Sequence, residues 1–282
     1  MRFAATLVLW LFTTVALAVA VPAAWAQVNI VSEGGFAALA QKAADDPGLQ
    51  SAAAGELTTR ATALIAAHSE RRHPVDGAQV HDAATAFTAG PSFPPLFAQA
   101  NKAAHQWLFA GPGSGDSWVV DLAPMINDSS IRQILSSHNV KVPATLTVPL
   151  TVSTPSVSLR QGQLNRLTLW GPWASIGAVA LSGVCALLML AAARRHGKAL
   201  TSLGVSALLV GAAGWAGIEL GGRYVNGALN GTTGDIRQIA EAMVVRAEAS
   251  LHQWLEVTLI AGAALIVIGV LVAIVGSVRQ SA

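Results

Sequence analysis

The chain has 282 residues, of which 53% are hydrophobic and only 11% are charged, and its formal net charge is +2. Soluble domains carry about 25% charged residues, so this composition excludes an ordinary soluble protein and predicts a membrane bundle with one modest domain. The slight, dispersed positive charge gives no indication of a nucleic-acid partner. The one cysteine, Cys185, lies in an apolar stretch, which leaves no intrachain disulfide and no cysteine-based metal site.

Four apolar stretches divide the chain. Each is about as long as the roughly 20 residues that a helix needs to cross a bilayer. They are Phe3–Ala26, Leu169–Ala193, Ala199–Leu220 and Leu255–Val278. The sequence therefore predicts an all-α membrane protein with four transmembrane helices and a mostly helical extracytoplasmic domain between the first and the second.

Residues 1–26 have two interpretations. Arg2, the apolar run that follows it and the sequence Ala24-Trp25-Ala26 are typical of a secretory signal with a cleavage site. The apolar run has about 19 residues, however, whereas that of a signal peptide has roughly 7–15. This length favours an uncleaved signal-anchor helix; cleavage would leave three transmembrane helices. With either interpretation, the residues that follow are transported to the outer side of the membrane.

Residues 27–168 form the predicted extracytoplasmic domain, and its helices have recognisable starts. Asp46 followed by Pro47 is typical of a helix N-cap and a first helical position. A shorter helix precedes Asp46, and a later one begins at Pro94-Pro95 after a polar loop at 69–77. The predicted inward-facing residues of these three helices are Phe36, Leu39, Leu49, Ala53, Leu57, Ala61, Leu64, Phe97, Ala100, Ala104 and Trp107.

The rest of this domain has weaker signals. Residues 118–120 favour a short extended segment. Residues 140–152 are rich in β-formers but are interrupted by prolines such as Pro149, which predicts an edge strand or an extended linker. A further helix is predicted to end near Asn139. From about residue 157 the chain is expected to be helical again.

Positive charges near the ends of the spans set the predicted orientation. The link 194–198 contains three Lys or Arg residues and is predicted to be a basic cytoplasmic loop. Both termini, including the tail 279–282, are then cytoplasmic, and the link 221–254 is extracytoplasmic. Tryptophan is enriched at membrane interfaces, and five tryptophans lie near the predicted outer ends of the spans: Trp25, Trp170, Trp173, Trp215 and Trp254.

The link 221–254 contains a predicted amphipathic helix. Asp235 and Gln238 have the spacing of a capping box. Arg237 and Glu241 are one helical turn apart and are expected to pair. The apolar side of this helix is expected to pack on the large extracytoplasmic domain; the alternative is a helix that lies flat on the membrane.

Small residues recur at four-residue spacing in two spans. Ala213, Gly217 and Gly221 form one stripe, and Gly269, Ala273 and Ser277 form another. Small residues let helix backbones approach each other closely in lipid. The sequence favours packing of these faces within one chain. The alternative is a homo-oligomer in which the faces of two copies meet.

The sequence predicts no catalytic, cofactor-binding or metal site, and therefore no enzyme. His68, His73 and His81 do not have the spacing of metal ligands. The string Gly113-Ser114-Gly115 lacks the strand and helix that flank a nucleophilic serine.

Acidic residues of the spans are confined to their outer edges. Ionisable residues deep within spans are typical of pumps and transporters, but here Glu219 and Glu256 both lie at the predicted membrane boundary. Arg223 follows Glu219 by one turn, and the two are expected to form a structural ion pair.

Three segments of the domain resemble a family. They are Phe36-Ala37-Ala38-Leu39-Ala40 with Asp46-Pro47-Gly48-Leu49-Gln50, the helix Phe97–Leu108, and Val119-Val120-Asp121-Leu122-Ala123-Pro124. They are similar to the DP-x-x-Q, AN-x-x-AH-x-x-L and V-x-DLAP segments of a large actinobacterial family of predicted integral membrane proteins. The resemblance covers roughly residues 3–168. It implies a plasma (inner) membrane location and a helical extracytoplasmic domain, but no activity. The family's later spans are often fewer or closer together than they are here.

Within these segments, Asn101 and His105 are one helical turn apart, on a face predicted to lie away from Phe97 and Trp107. Their expected role is to bond to the loop at Asp121, as a clasp within the domain. A ligand-binding or proton-linked role is the alternative.

The sequence as a whole predicts a non-enzymatic membrane protein of the cell envelope. Its expected partners are membrane lipid and another envelope membrane protein, for which it would act as scaffold, accessory subunit or assembly factor. The alternative is a lipid-handling or transport-accessory protein with an apolar groove in its external domain.

Overall fold

The computed structural model describes the residues 2–68, 76–109, 118–121, 125, 129, 132–133, 147–150, 153–154, 157–158, 162, 164–193, 196–229 and 234–281. The chain divides into two compact units. We call the first the span unit; it contains Met1–Ile30, Thr168–Arg223 and Glu248–Ala282. We call the second the helical domain; it contains Val31–Leu167 and Tyr224–Ala247.

Four helices are long and apolar enough to cross a membrane. Helix α1 is Arg2–Ala26 and continues as a π-helical turn, Gln27–Val31. The other three are α6 (Asn165–Ala192), α7 (His196–Leu229) and α8 (Gly234–Ser281). Large apolar side chains on all four are exposed, as a lipid-facing surface requires. The predicted fold class, with four helices able to span a membrane, is thereby confirmed.

Four shorter helices lie in the described part of the helical domain. They are α2 (Glu33–Ala43), α3 (Pro47–His68), α4 (Gly77–Thr88) and α5 (Phe93–Phe109). The predicted cap of α3 is confirmed, because the amide of Leu49 donates to Asp46 Oδ1 at 3.0 Å. The predicted apolar stripe of α3 is buried from Leu49 to Ala61; the side chain of Leu64 lies outside the described residues.

Helix α4 is absent from the sequence prediction, which has only a polar loop ahead of α5. Asp76 caps this helix by accepting from the amide of Ala78 at 3.0 Å. Val80, Ala84 and Phe87 are buried and belong to the same core cluster as Leu49 and Phe93. The described part of the domain core therefore includes a helix that the sequence prediction lacks.

Short antiparallel strands complete the described part of the domain. Strand β1 (Trp118–Asp121) pairs with β2 (Thr147–Leu150), so that Val119 lies opposite Pro149. This confirms both extended segments, with the proline on an edge strand. Strands β3 (Ser153–Thr154) and β4 (Val157–Ser158) also pair. The expectation of helix from residue 157 is wrong, because the helix starts at Asn165; the helix predicted to end near Asn139 lies largely outside the described residues.

Helix α8 begins in the helical domain and continues into the span unit without a break. Ile239, Ala242 and Met243 pack against the domain core, and Arg237 Nε lies 2.7 Å from Glu241 Oε1. Both contacts confirm the predicted amphipathic helix and its packing on the domain, rather than flat on the membrane. The helices extend beyond the predicted spans into both links. Residues 196–198 of the basic loop are helical, and so are the described residues of 221–254.

Helices α7 and α8 approach each other closely through glycines. A Cβ added at Gly204 would lie 2.6 Å from the Gly262 carbonyl oxygen, and one at Gly269 would lie 2.7 Å from that of Gly197. On each helix these glycines recur every seven residues, as in left-handed antiparallel helix pairs. We call this contact the glycine seam.

The glycine seam corrects one of the two predicted small-residue stripes. Gly269 and Ala273 lie in the seam, as expected for packing within one chain. A Cβ at Gly217 or Gly221 would meet no described atom within 4 Å, so that stripe does not pack inside the described chain. The homo-oligomer stays a prediction.

Polar contacts join α1 to the other helices of the span unit. Trp10 Nε1 donates to the carbonyl oxygen of Ser202 at 3.0 Å, and Thr14 Oγ1 lies 2.8 Å from Oγ of the fully buried Ser206. Near the other end of α1, Trp25 Nε1 donates to Ser250 Oγ at 3.2 Å. Helix α1 is therefore packed as an integral part of this unit.

Candidate functional site

Helices α2 and α5 pack against each other and bring together two of the segments that carry the family resemblance. Ser32 starts α2 as its N-cap, with its Oγ accepting from the amide of Gly35 at 3.4 Å. Helix α5 buries Phe97, His105 and Phe109 along one stripe at four-residue spacing. We call the contact between the two helices the α2–α5 interface.

His105 is a buried member of the α2–α5 interface. Its side chain is only 5% exposed. The imidazole ring stacks on Phe109, with centroids 4.2 Å apart and planes at 15°, and its centroid lies 5.4 Å from that of Phe36 on α2. Aromatic pairs at such distances stabilise beyond the area they bury, so His105 connects the two helices.

Glu33 forms a second, more exposed connection across the same interface. One carboxylate oxygen lies 3.1 Å from Lys102 Nζ, and the other accepts from Gln106 Nε2 at 3.2 Å. The hydrogen bonds from Gln106 and Lys102 hold the pKa of the Glu33 carboxyl below its ordinary value. Both oxygens of Glu33 therefore serve to fasten α2 to α5.

Asn101 has a different environment from the one predicted. Its Nδ2 donates to the Phe97 carbonyl oxygen at 2.9 Å, one turn earlier in the same helix. The expectation that Asn101 and His105 face away from Phe97 is wrong, because Phe97, Asn101 and His105 share the four-residue spacing of one stripe. The error came from assigning Trp107 to the inward face; that residue is only half-buried.

Asp121, the third member of the predicted clasp, is the last residue of β1. This strand packs against α5, so its backbone lies beside the helix that carries Asn101 and His105. The side chain of Asp121 lies outside the described residues. The clasp therefore stays a prediction.

The ion pair predicted between Glu219 and Arg223 does not form. Both residues are exposed on α7, and the ion pairs among the described residues are Glu56–Arg60, Glu33–Lys102 and Arg237–Glu241. The two charges are one turn apart, but no burial favours a fixed pair over hydration.

Comparisons with protein-family models, curated proteins and solved structures find no match for this chain.

Sequence reasoning missed Glu33 and Phe109 as members of the α2–α5 interface. Both residues belong to patterns that are visible in the sequence. Ser32 followed by Glu33 is typical of an N-cap and the first turn of a helix. Phe109 lies twelve residues after Phe97, which places it on the same face of the helix. What the sequence lacks is the pairing of α2 with α5, because α3 and α4 separate them in the chain. The charged and aromatic groups of the α2–α5 interface contact one another, and these contacts hold the two helices together.

Proposed function

We propose that the protein is a non-enzymatic integral membrane protein of the cell envelope. Its helical domain acts as scaffold, accessory subunit or assembly factor for another envelope membrane protein. We assign it to the plasma membrane, with both termini cytoplasmic and the domain extracytoplasmic. We also propose membership of the actinobacterial family that its three segments resemble.

One observation carries the proposal: the domain is built from two chain segments, each connected to spans at both ends. The chain passes between the two units after residues 30, 167, 223 and 247, so each of the four spans continues directly into the domain. The second segment supplies Ile239, Ala242 and Met243 to the packing of the core. A domain assembled from both of these segments is suited to presenting a surface to a partner protein.

The same observation supports the proposed threading. The two segments fold together, so they lie in one compartment, and the two spans between them return the chain to the same side. The three Lys or Arg residues of 194–198 then lie opposite the domain, as the distribution of positive charge favours.

The α2–α5 interface adds support for a non-enzymatic role. His105 is buried between aromatic rings and Glu33 is held by Lys102 and Gln106. A catalytic acid or base must reach a substrate proton, whereas these groups are engaged within the domain.

Site-specific photo-crosslinking in membranes of the source cells tests the proposal. A benzophenone side chain is placed at one exposed position on each domain helix, and at the fully buried Phe93 as control. The exposed positions are Ala38, Thr59, Asp82, Ala103 and Val245. We expect at least one exposed position to yield a discrete adduct with one membrane protein that also co-purifies in mild detergent, and Phe93 to yield none. Adducts with the chain itself alone, from all five positions, would refute the proposal.

The alternative, a lipid-handling protein, predicts a different result from the same experiment. Exposed domain positions would then form adducts with lipid rather than with protein. The buried alanines of the domain core weigh against a groove between its described helices, since Ala40, Ala44 and Ala54 are wholly inaccessible. Small residues there bring helices together instead of leaving space.

A further inference from the structure

An open groove runs along α7 and α8 near the beginning of α7. Its volume is about 560 Å³, within the roughly 300–1,000 Å³ typical of small-ligand sites. Lys198 lies at one end, and Val205, Val270, Ala273 and Ile274 are among the residues that line it. We call it the Lys198 groove; all its lining residues belong to the span unit.

The glycine seam explains why this groove exists. Gly197 and Gly269, which directly precede the lining residues Lys198 and Val270, bring the two backbones together beside the groove. The larger side chains then stand on either side of the contact, where Val205, Val270 and Ile274 are 38%, 45% and 54% exposed. A cleft of hydrocarbon results on the outer surface of two spans.

The hydroxyl groups along the groove already form hydrogen bonds within α7. Thr201 Oγ1 donates to the Gly197 carbonyl oxygen at 2.9 Å, and Ser202 Oγ donates to that of Ala199 at 2.9 Å. These hydroxyls are satisfied by their own helix, as is usual for Ser and Thr in spans. The groove therefore offers hydrocarbon walls and one ammonium group.

The charged residues near the groove in the sequence are all positive. They are Arg194, Arg195, Lys198 and Arg279, and no Asp or Glu occurs between 129 and 218 or after 256. Lys198 is exposed, and none of the residues that the structure describes forms an ion pair with it. Basic pockets between spans bind anionic lipid headgroups.

We propose that the Lys198 groove binds one phospholipid with an anionic headgroup. The phosphate pairs with the Lys198 ammonium, and one acyl chain lies along Val205, Val270 and Ile274. Val205 follows Lys198 by two helical turns, about 10 Å along the helix, which fits a chain that enters the roughly 15 Å of one leaflet. Hydrocarbon walls below a single cation match a phospholipid better than a free anion.

The test uses the full chain, purified in detergent and stripped of lipid. Dioleoyl phosphatidylglycerol or dioleoyl phosphatidylcholine is added in mixed micelles, and bound lipid is counted by native mass spectrometry. We expect one phosphatidylglycerol per chain and at least several-fold weaker retention of phosphatidylcholine. Lys198→Gln should weaken phosphatidylglycerol binding about fivefold, the effect of one basic residue near an anionic lipid, and Lys198→Arg should preserve it.

A second pair of variants tests the hydrocarbon part of the groove. Val270→Trp fills the groove and should reduce retention of phosphatidylglycerol. Val267→Trp is the matched control, because Val267 is 59% exposed on the same helix and does not line the groove. Thermal unfolding of each variant distinguishes loss of the groove from loss of the fold.

Several outcomes would overturn the proposal. Equal retention of the two lipids, or unchanged phosphatidylglycerol binding by a folded Lys198→Gln, removes the role of charge. Displacement of the lipid by inorganic phosphate alone shows an anion site without an acyl chain. A dimer that carries no lipid, and that Val270→Trp dissociates, assigns the groove to a second copy.

Discussion

Replacing Gly204 by alanine tests whether the glycine seam holds α7 to α8. The added Cβ would lie 2.6 Å from both the Gly262 carbonyl oxygen and Ile266 Cγ1, whereas ordinary contacts begin at 3.4 Å. The helices must therefore separate locally by about 0.8 Å, and a gap of that size forfeits about a quarter to a half of each contact's dispersion energy. Overpacking of this kind costs about 1–3 kcal/mol.

Gly217→Ala is the matched control, because it makes the same chemical change in the same helix. An added Cβ there meets nothing within 4 Å. Both variants gain the helix propensity of alanine over glycine, about 1 kcal/mol, so the difference between them isolates packing. We expect the midpoint temperature of unfolding of Gly204→Ala to lie about 2–12 °C below that of Gly217→Ala, because each kcal/mol lowers the midpoint by roughly 2–4 °C.

The native chain contains its own probe for this measurement. Cys185, the single cysteine, lies on α6 and is only 8% exposed. A dye that fluoresces on reaction with a thiol therefore reports unfolding in detergent without an engineered label. Equal midpoints for the two variants, or a larger loss for Gly217→Ala, would refute the close packing of α7 on α8.

Three further predictions concern the helical domain. Asp46→Ala should cost about 1 kcal/mol by removing the cap of α3, measured by pulse proteolysis, whereas the neighbouring Asp45→Ala should cost little. Because folding lowers the pKa of Glu33, its stabilising contribution is present above the ordinary glutamate pKa of 4.5 and is lost as the pH falls through the lowered value. Glu33→Gln should abolish that pH dependence. If stability depends on pH in the same way in this variant, the pH dependence does not come from Glu33. A double-mutant cycle of His105→Phe with Asp121→Asn should give a coupling above about 0.5 kcal/mol if the clasp exists; additive effects would exclude it.

Local sequence was sufficient where one segment determines its own structure. The spans follow from apolar stretches long enough to cross a bilayer, because a helix is the structure that satisfies every backbone group in lipid. The Asp46 cap and the Arg237–Glu241 pair are likewise set by neighbours within four residues. These features carry their own signal whatever surrounds them.

Helix α4 shows how a short element escapes such reasoning. Its Asp76 cap and its buried Val80, Ala84 and Phe87 were all present in the sequence. Twelve alanine-rich residues have little helical stability in isolation, however, and this segment becomes a clear helix through packing on α3. The α2–α5 interface was missed for a related reason, since its two sides lie more than fifty residues apart.

The sequence by itself determined where the chain can cross the membrane and where several helices begin, because those depend on composition and on contacts a few residues apart. Only the tertiary structure decided that Gly204 is closely packed while Gly217 is open, and that His105 lies between two phenylalanine rings. Nothing local distinguishes two glycines of one helix. The difference arises from which neighbour each one meets, and that neighbour comes from a distant part of the chain.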